Sequence, residues 1–418
     1  MNGNISTSSR NVPRKVMFSP DGTFEWRRPD STTVSILFTG DISVSHSIFT
    51  AVGGDLNGVF DASVHEFFNN ADLRIAQWEM PLTDSIHPIQ KAGPSLKGPP
   101  DAWRLAKALN IDVALLANNH IGDFGPAATL ETIRILHDHG IATVGAGANR
   151  SQAFSPVRLQ VKGFSVSVLN AAEHEFGMAT NTEPGAAELS APRMVSTIVS
   201  EKTSSDITIV AIHGGNEYRS HPSPRQQELY RAFIDAGADM VFNSHAHQIQ
   251  GIEVWRGKPI VYCSGNFFFP KTEEPTNGED WWNGFIPQVC FDQHGAFAIQ
   301  LLPIRSSLSF VRAQPIGIGT KFSARLERLS DDLCDAQILE EYFQAFCKKA
   351  KMENRWIRLL QCGSGSPLIR RAKRIILSLL CQVGVFSASR LKQWKLIHRE
   401  VLFCESHLDV VRQLINQD

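Results

Sequence analysis

The feature that most constrains the fold is a regular alternation of short apolar runs with amphipathic segments, which begins at Val34 and continues to about residue 310. This alternation is typical of a largely parallel sheet covered by helices. Turn-forming pairs such as Lys162-Gly163 also predict hairpins in the second half. The pattern predicts strands at 34–38, 73–78, 111–117, 141–144, 207–212 and 240–242, helices at 58–70, 101–109, 126–139 and 224–236, and hairpins at 157–169, 252–263 and 288–303.

Polar side chains stand where five of these apolar runs end. In an open α/β sheet the carboxyl ends of the strands line a common crevice, so residues distant in sequence converge there. Carboxylates, an amide oxygen and imidazoles together suit a borderline divalent ion such as Zn, Mn, Fe or Ni. The residues are Asp41, Glu79, Asn119 with His120, His213, and His245 with His247.

Each of these residues also has an ordinary explanation when it is taken alone. Asp41 follows Gly40 in a possible turn, Glu residues such as Glu79 are usually exposed, and Asn119 could cap the next segment. His213 precedes two glycines, which is typical of a tight turn. The agreement of five strand ends favours a metal site, which could hold two ions with one carboxylate between them.

Charge and composition exclude some classes of protein. The chain has 41 Lys plus Arg and 42 Asp plus Glu, a net charge of −1, which excludes a generally basic nucleic-acid-binding surface. Seven cysteines without a Cys-x-x-Cys pair argue against a disulfide framework and favour a reducing compartment. No apolar run matches a signal peptide or a spanning helix. We expect a cytoplasmic protein, or one that is peripheral at the membrane.

The C-terminal part differs from the rest in charge. Residues 351–418 carry 12 Lys plus Arg against 5 Asp plus Glu, whereas the first 350 residues are net acidic. An apolar stretch at 375–386 lies between basic flanks and is too short to span a bilayer. We expect a helix that packs on the acidic body, and the alternative is an interfacial helix in peripheral contact with an anionic membrane. We expect no nucleic-acid partner.

Longer blocks of the sequence resemble the CapA family of bacterial capsule and poly-γ-glutamate synthesis proteins. The resemblance extends over about residues 34–305, with the blocks in the same order throughout. The blocks are Thr39-Gly40-Asp41, Trp78-Glu79-Met80-Pro81-Leu82-Thr83, the run Ala-Asn-Asn-His-Ile-Gly-Asp-Phe-Gly at 117–125, His213-Gly214-Gly215-Asn216-Glu217-Tyr218, Asp235-Ala236-Gly237-Ala238-Asp239, Ser244-His245-Ala246-His247, Gly257-Lys258-Pro259-Ile260-Val261-Tyr262 and Ser264-Gly265-Asn266-Phe267-Phe268-Phe269.

The resemblance implies the fold of the calcineurin-like metallophosphatases, a four-layer α/β/β/α sandwich within the α/β class. We therefore expect a flexible arm at 1–33, a CapA-like domain at 34–310 and a basic, mostly helical extension at 320–418. The resemblance also implies two divalent ions (Mn, Fe, Zn or Ni). Asp41 would hold the first ion, Glu79 would bridge, Asn119 and His213 would hold the second, and His245 and His247 would complete the two sites.

The resemblance further implies roles for three residues that are not ligands. His120 would stabilise charge or protonate the leaving group. Asp123 and Glu217 would orient imidazoles as supporting carboxylates.

The sequence departs from the metallophosphatase pattern at several positions. Ser43 stands where those enzymes carry the histidine of Asp-x-His, and His46 is an alternative donor. Glu79 replaces an aspartate, and His213 is followed by Gly214 rather than by the family's usual tryptophan. These departures put full occupancy by two metals, and catalysis, in question.

Two hypotheses for function follow. The first is a metal-dependent hydrolase of capsule or exopolysaccharide synthesis that uses metal-bound hydroxide on a phosphoester or, alternatively, on an amide. The second is a non-catalytic accessory subunit that binds an anionic polymer or a membrane synthase. We expect as partner an anionic polymer, or a phosphorylated small molecule or glycan.

Further side chains are candidates for substrate contact. Lys97, Arg219 and His221 could hold an anionic group, although solvated surface charges are equally common. Trp281 and Trp282 could stack on a sugar or simply pack in the core.

Overall fold

A computed structural model describes residues 15–30, 32–53, 56–315, 320–353 and 404–415. Two sheets of nine and six strands form the centre of the molecule, and a two-stranded ribbon lies beside them. The strands of the first sheet are β1 (Thr23–Glu25), β2 (Val34–Ile42), β3 (Leu73–Trp78), β4 (Val113–Leu115), β5 (Ala142–Val144), β14 (Asn266–Phe268), β15 (Asn283–Asp292), β16 (Gly295–Ser306) and β17 (Val311–Ala313). Their order is β1-β16-β15-β2-β3-β4-β5, while β14 pairs with β2 and β17 with β16.

The second sheet has the order β12-β13-β11-β10-β8-β7, and its central strands β8, β10, β11 and β13 are parallel. The strands are β7 (Val157–Val161), β8 (Phe164–Ala172), β10 (Ile207–His213), β11 (Met240–Ser244), β12 (Ile252–Trp255) and β13 (Lys258–Val261). The ribbon consists of β6 (Ala146–Gly147) and β9 (Gly185–Ala186).

Helices cover the outer faces of both sheets. Those of the described residues are α1 (His46–Ala51), α2 (Ala62–Asn69), α3 (Trp103–Ala108), α4 (Gly125–Asp138), α5 (Arg150–Ala153), α6 (Ala191–Glu201), α7 (Pro224–Ala236), α8 (Lys321–Asp332), α9 (Ala336–Glu353) and α10 (Glu405–Ile415).

Three apolar clusters define four layers. Because side chains alternate along a strand, Ile36 and Phe38 of β2 face the second sheet, where Phe38 stacks on Phe242 with ring centroids 5.0 Å apart. Leu37 faces the other way and packs with α2 to α4. The outer face of the second sheet packs on α6 and α7 through residues such as Met194 and Tyr230. The predicted α/β/β/α sandwich is confirmed.

Local signals explain where the elements begin and end. Helix α7 covers the predicted range, because Ser223 and Gln226 form a capping box and Gly237 ends the helix at φ 123°. The helix predicted at 58–70 begins later, at Ala62, because the Asp61 carboxylate accepts a hydrogen bond from the Val64 amide. Strand β4 stops at Leu115, short of the predicted residue 117.

The expected N-terminal arm is wrong for the part that the structure describes. Val16, Phe18 and Phe24 are buried, and β1 pairs antiparallel with β16. Residues 1–14 lie outside the described residues. The three-residue strand β1 covers part of the open side of β16, and Val16 and Phe18 pack into the same apolar cluster as Phe24.

The region after residue 320 is helical where it is described, and it packs on the body of the molecule. Helix α9 contacts α7, and α10 contacts α9. The predicted apolar stretch at 375–386 and its basic flanks lie outside the described residues, so their packing stays a prediction. None of the described helices is both long enough and apolar enough to cross a bilayer.

Candidate metal centre

The structure brings the six predicted metal-binding side chains together at the carboxyl ends of five strands. Asp41 lies at the end of β2, Glu79 directly follows β3, and His213 ends β10. Asn119 follows β4, and the paired histidines follow β11. All six side chains are buried, and they gather where the two sheets meet.

The ligand atoms form two groups that share one carboxylate. Glu79, His213 and His245 offer atoms within 4.8 Å of one another, and so do Asp41, Glu79 and His247. The Glu79 Oε1 atom lies 3.6 Å from His213 Nε2 and 3.8 Å from His247 Nε2. Glu79 therefore occupies the position between the two groups.

Three buried carboxylate oxygens in this centre have no hydrogen-bond donor among the described residues. They are Asp41 Oδ1 and both oxygens of Glu79. A buried charged oxygen without a partner costs several kcal/mol, because it has lost its hydration. The donor set therefore fits one or two cations well, with carboxylate and imidazole ligands of the kind that Zn, Mn and Fe accept.

The pKa shifts in the centre also favour a bound cation. Burial and the neighbouring Asp41 carboxylate raise the pKa of Glu79 well above its ordinary value. Burial alone would lower the pKa of His247, but Glu79 and Asp41 raise it to about 10. Burial and the neighbouring histidines lower the pKa of His213. A bound cation would hold the carboxylates ionised and the imidazoles neutral.

The backbone at the centre is held in unusual conformations. His245 and His247 have φ of 91° and 50°, which non-glycine residues rarely adopt and which are common at functional sites. Gly40 lies so close to the next chain segment that a Cβ atom would stand 1.8 Å from the Gly265 carbonyl oxygen. The glycine thus allows β14 to lie directly beside Asp41.

His120 is held next to the candidate metal ligands by the buried ion pair of Asp123 and Lys91. Its Nδ1 atom is 2.7 Å from Asp123 Oδ2 and 3.0 Å from Lys91 Nζ. Its Nε2 atom is 3.9 Å from Glu79 Oε1. Burial and Lys91 lower the pKa of His120, so a neutral imidazole faces the centre. Asp123 thus contacts His120, in line with its predicted role as a supporting carboxylate.

The role of Glu217 as an imidazole-orienting carboxylate stays a prediction. Glu217 lines the same cavity as the paired histidines, but within the described part of the chain it makes no hydrogen bond to either of them. Burial would raise its pKa, but the electrostatic interactions with the paired histidines outweigh this effect and lower it. Glu217 is therefore a charged wall residue of the cavity.

The position of the missing Asp-x-His histidine is not filled by His46. Ser43 is buried, and its amide donates to the Phe268 carbonyl oxygen at 3.0 Å. His46 is exposed at the start of α1 and belongs to neither ligand group. The Asp41 half of the centre therefore has fewer protein donors than the His213 half.

The candidate anion-binding residues lie outside the cavity over the metal centre. Lys97 donates to the Ser85 carbonyl oxygen at 2.6 Å, and His221 Nε2 is 3.0 Å from Asp332 Oδ2. Arg219 lies between the rings of Phe343 and Phe346, and burial lowers its pKa to about 10. None of the three lines the cavity beside the paired histidines, so their contact with a substrate stays a prediction.

Trp281 packs rather than projects from the surface. It is 2% exposed, its ring lies 4.7 Å from that of His247, and its Nε1 atom donates to the Phe269 carbonyl oxygen at 2.9 Å. Trp282 directly follows it, at the end of a short 3-10 helix (Gly278–Trp282).

Two residues that contact the centre were not predicted from the sequence. Lys91 is the ion-pair partner of Asp123, and it comes from a loop without periodicity. Glu175 contacts Asn119 and His245, and it follows β8 by three residues. Extending the predicted hairpin strand from residue 169 to Ala172 would have placed Glu173, not Glu175, at the strand end, so the strand-end rule does not identify Glu175.

A cavity of about 750 Å³ opens over the centre. The paired histidines, His120 and Asn119 line it on the side of the centre, and helices α9 and α10 contribute Phe346, Lys349 and His407. The charged residues of the lining include both signs: Lys91, Lys271, Lys349, Glu175, Glu217 and Asp280.

The chain is thus an α/β protein of four layers with buried carboxylate and imidazole side chains gathered at its strand ends. The profile of the bacterial capsule synthesis protein family PGA_cap matches residues 35–271, more than half of the chain. The chain belongs to this family.

Named relatives agree with this assignment. The chain is 28% identical over 249 residues to the capsule biosynthesis protein CapA of Bacillus anthracis, covering 57% of this chain and 61% of that protein. It is 30% identical over 244 residues to the PGA biosynthesis protein CapA of Bacillus subtilis, covering 56% and 63%. The match thus spans about three fifths of the length of these relatives.

Solved structures give more distant matches. A phosphatase from Mycoplasma pneumoniae aligns with 71% of this chain and 100% of its own, at 11% identity and a TM-score of 0.43. A 5'-nucleotidase precursor from Thermus thermophilus aligns with 75% of this chain and 59% of its own, at 14% identity and a TM-score of 0.38.

Proposed function

We propose that this chain is a metal-dependent hydrolase that acts on an anionic polymer, or on its precursor, in capsule or poly-γ-glutamate-type synthesis. One observation carries the proposal: three buried carboxylate oxygens, which lie next to three imidazoles, have no hydrogen-bond donor in the described part of the chain. This arrangement is costly unless cations occupy it.

Two groups of residues would hold the ions. Asp41, Glu79 and His247 would hold one, and Glu79, Asn119, His213 and His245 would hold the other. Two such ions supply Lewis acidity and activate water for the hydrolysis of a phosphoester or an amide.

The protein's own acid–base group in this proposal is His120. Asp123 and Lys91 fix its Nδ1 atom, so its Nε2 atom is the one that faces the cavity. A neutral imidazole in this position can accept a proton at Nε2 or, once protonated, donate it to a leaving group.

Two lysines of the cavity support an anionic substrate. Lys271 and Lys349 line the cavity together with the acidic residues Glu175, Glu217 and Asp280, and the volume of about 750 Å³ suits a ligand of a few residues or sugars. Polyglutamate carries one carboxylate for each residue, and these two ammonium groups can pair with such carboxylates.

Metal analysis tests the proposal directly. Protein purified without chelator or nickel resin should hold about two Mn, Fe, Zn or Ni ions per chain. Glu79→Ala should lose both ions and His247→Ala one, whereas His46→Ala, which changes an exposed histidine, should lose none. Fewer than about 0.2 ions per chain after soaking with Mn²⁺ and Zn²⁺ would overturn the metal centre.

Turnover is the second measurement. The metal-loaded protein should hydrolyse a phosphodiester such as bis(p-nitrophenyl) phosphate or shorten a γ-glutamyl oligomer, and His120→Ala should abolish this without loss of metal. The double variant Lys271→Ala/Lys349→Ala should weaken oligomer binding, and the exposed neighbour Lys348→Ala should not.

The replacement at Ser43 favours a second candidate function, that of a non-catalytic accessory subunit which binds the polymer. A relative from Mycobacterium tuberculosis, 33% identical over 181 residues, is described as a probable polyglutamine synthesis accessory protein. Metal-loaded protein that binds a γ-glutamyl oligomer but hydrolyses neither substrate would support this candidate over the hydrolase.

A further inference from the structure

One carboxylate contacts two of the candidate metal ligands at once. Glu175 lies just beyond β8, and its side chain is 8% exposed. Its Oε2 atom accepts a hydrogen bond from Asn119 Nδ2 at 3.0 Å, and its Oε1 atom lies 3.5 Å from His245 Nε2. Both partners belong to the half of the centre that contains His213.

The contact with Asn119 determines which end of the amide faces the centre. Since Nδ2 donates to Glu175, the carbonyl oxygen Oδ1 points inward and lies 3.1 Å from His213 Nε2. An amide oxygen is the end of asparagine that can bind a cation, whereas the amino end cannot.

The contact with His245 likewise determines which ring nitrogen faces the centre. The Nε2 atom faces Glu175, and the Nδ1 atom lies 3.1 Å from His213 Nε2. A carboxylate next to Nε2 favours the tautomer that carries its proton on Nε2. The lone pair of Nδ1 then points into the centre. Imidazole ligands of metals commonly have such an outer partner.

We propose that Glu175 is a positioning residue for one of the two ions. It orients Asn119 and His245 toward the ion in the His213 half of the centre. Neither of these two contacts involves Asp41 or His247, which belong to the other half. The proposal rests on the metal centre proposed above. It predicts that loss of Glu175 lowers the affinity of the protein for only one of the two ions.

The test is Mn²⁺ binding to the full chain, followed by titration and electron paramagnetic resonance. Wild-type protein should bind two ions and show the signal of a spin-coupled pair. Glu175→Ala should bind one ion as tightly as wild type and the other about 10–100-fold more weakly, the usual effect of removing an outer partner. With one equivalent of Mn²⁺ added, the spectrum of Glu175→Ala should be that of a single, uncoupled Mn²⁺ ion.

Control variants separate this role from general damage. Glu217→Gln changes a carboxylate in the same cavity that makes no hydrogen bond to the paired histidines, and it should keep both ions. Glu175→Asp should partly restore the affinity for the weakly bound ion. Thermal unfolding should show that each variant folds. Two ions bound to Glu175→Ala with wild-type affinity would overturn the inference while leaving the metal centre intact. Wild-type protein without metal would overturn both.

Discussion

At the scale of single residues, the ion pair of Lys91 and Asp123 stands out because both side chains are almost fully buried. Their side chains are 2% and 0% exposed, and Asp123 also accepts hydrogen bonds from His120 and from the Leu96 amide. Breaking a buried pair leaves one charge without compensation, whereas replacing both partners by apolar groups costs far less.

We therefore predict that Asp123→Asn lowers the free energy of unfolding by about 3–5 kcal/mol. The Lys91→Met/Asp123→Leu double variant should be clearly less destabilised than the single variant. Urea denaturation of both proteins measures this difference. Asp138→Asn, which breaks the exposed Arg134–Asp138 pair on α4, is the control and should change stability by less than about 1 kcal/mol. Equal losses for Asp123→Asn and Asp138→Asn would contradict the prediction.

The residues that could be predicted from the sequence are those that directly follow apolar strands. Asp41, Glu79 and His213 are predictable because a run of buried residues leads into each of them. Lys91 and Glu175 lie in irregular segments, where neither periodicity nor spacing carries a signal. Their placement depends on loop geometry that only the folded chain specifies.

At the scale of elements, the segment after the N-terminal strand is held by one buried carboxylate that accepts several hydrogen bonds. Asp292, at the end of β15, accepts two hydrogen bonds of 2.6 Å from Arg27 and further bonds from the amides of Asp30 and His294. These bonds tie the segment after β1 to the turn between β15 and β16. The sequence shows no periodic pattern here, because three residues of strand are too few to reveal one.

This carboxylate predicts a pH-dependent contribution to stability. The hydrogen bonds from Arg27 lower the pKa of Asp292 to about 2, from an ordinary value of 3.8. A lowered pKa means that the ionised group stabilises the fold above the ordinary value and loses this effect as pH falls toward 2. Asp292→Asn should cost about 2 kcal/mol at pH 7, and the difference from wild type should shrink between pH 5 and pH 3.

Thermal unfolding of both proteins across that pH range measures the effect, with the exposed Asp84→Asn as the control. A difference between Asp292→Asn and wild type that stays constant from pH 7 to pH 3 would contradict the assigned cause. Hydrogen exchange at residues 23–25 should also rise in Asp292→Asn at neutral pH, since β1 would lose its anchor.

At the scale of the whole molecule, the C-terminal helix is attached next to the metal centre rather than at a separate site. Arg225, in the first turn of α7, donates to Glu173 at 2.6 Å and also contacts Asp409 and Ser406 of the C-terminal segment. The Cys404 Sγ atom lies 4.0 Å from Glu175 Oε1, and His407 lines the cavity. The segment that carries Glu175 is therefore packed between α7 and α10.

The charges in this contact are the reverse of those that the overall charge distribution suggests. The sequence predicts a basic tail on an acidic body, yet here the body supplies Arg225 and the tail supplies Asp409. Net charge over dozens of residues indicates long-range attraction, whereas docking depends on a few desolvated pairs that composition does not reveal. The fold class could be predicted from strand and helix alternation, but this tertiary contact could not.

The last prediction uses this contact. Arg225→Met should leave Glu173 and Asp409 as buried carboxylates without their shared partner, so α10 should detach and hydrogen exchange at 404–415 should increase at least tenfold. Arg231→Met is a matched control, because Arg231 forms an equally buried pair with Glu253 away from α10. It should destabilise the protein to a similar degree without a selective increase at 404–415. If both variants raise exchange there equally, α10 is held by global stability rather than by Arg225. If Arg225→Met alone also lowers the affinity for the second Mn²⁺ ion, the C-terminal helix supports the metal centre through the segment that carries Glu175.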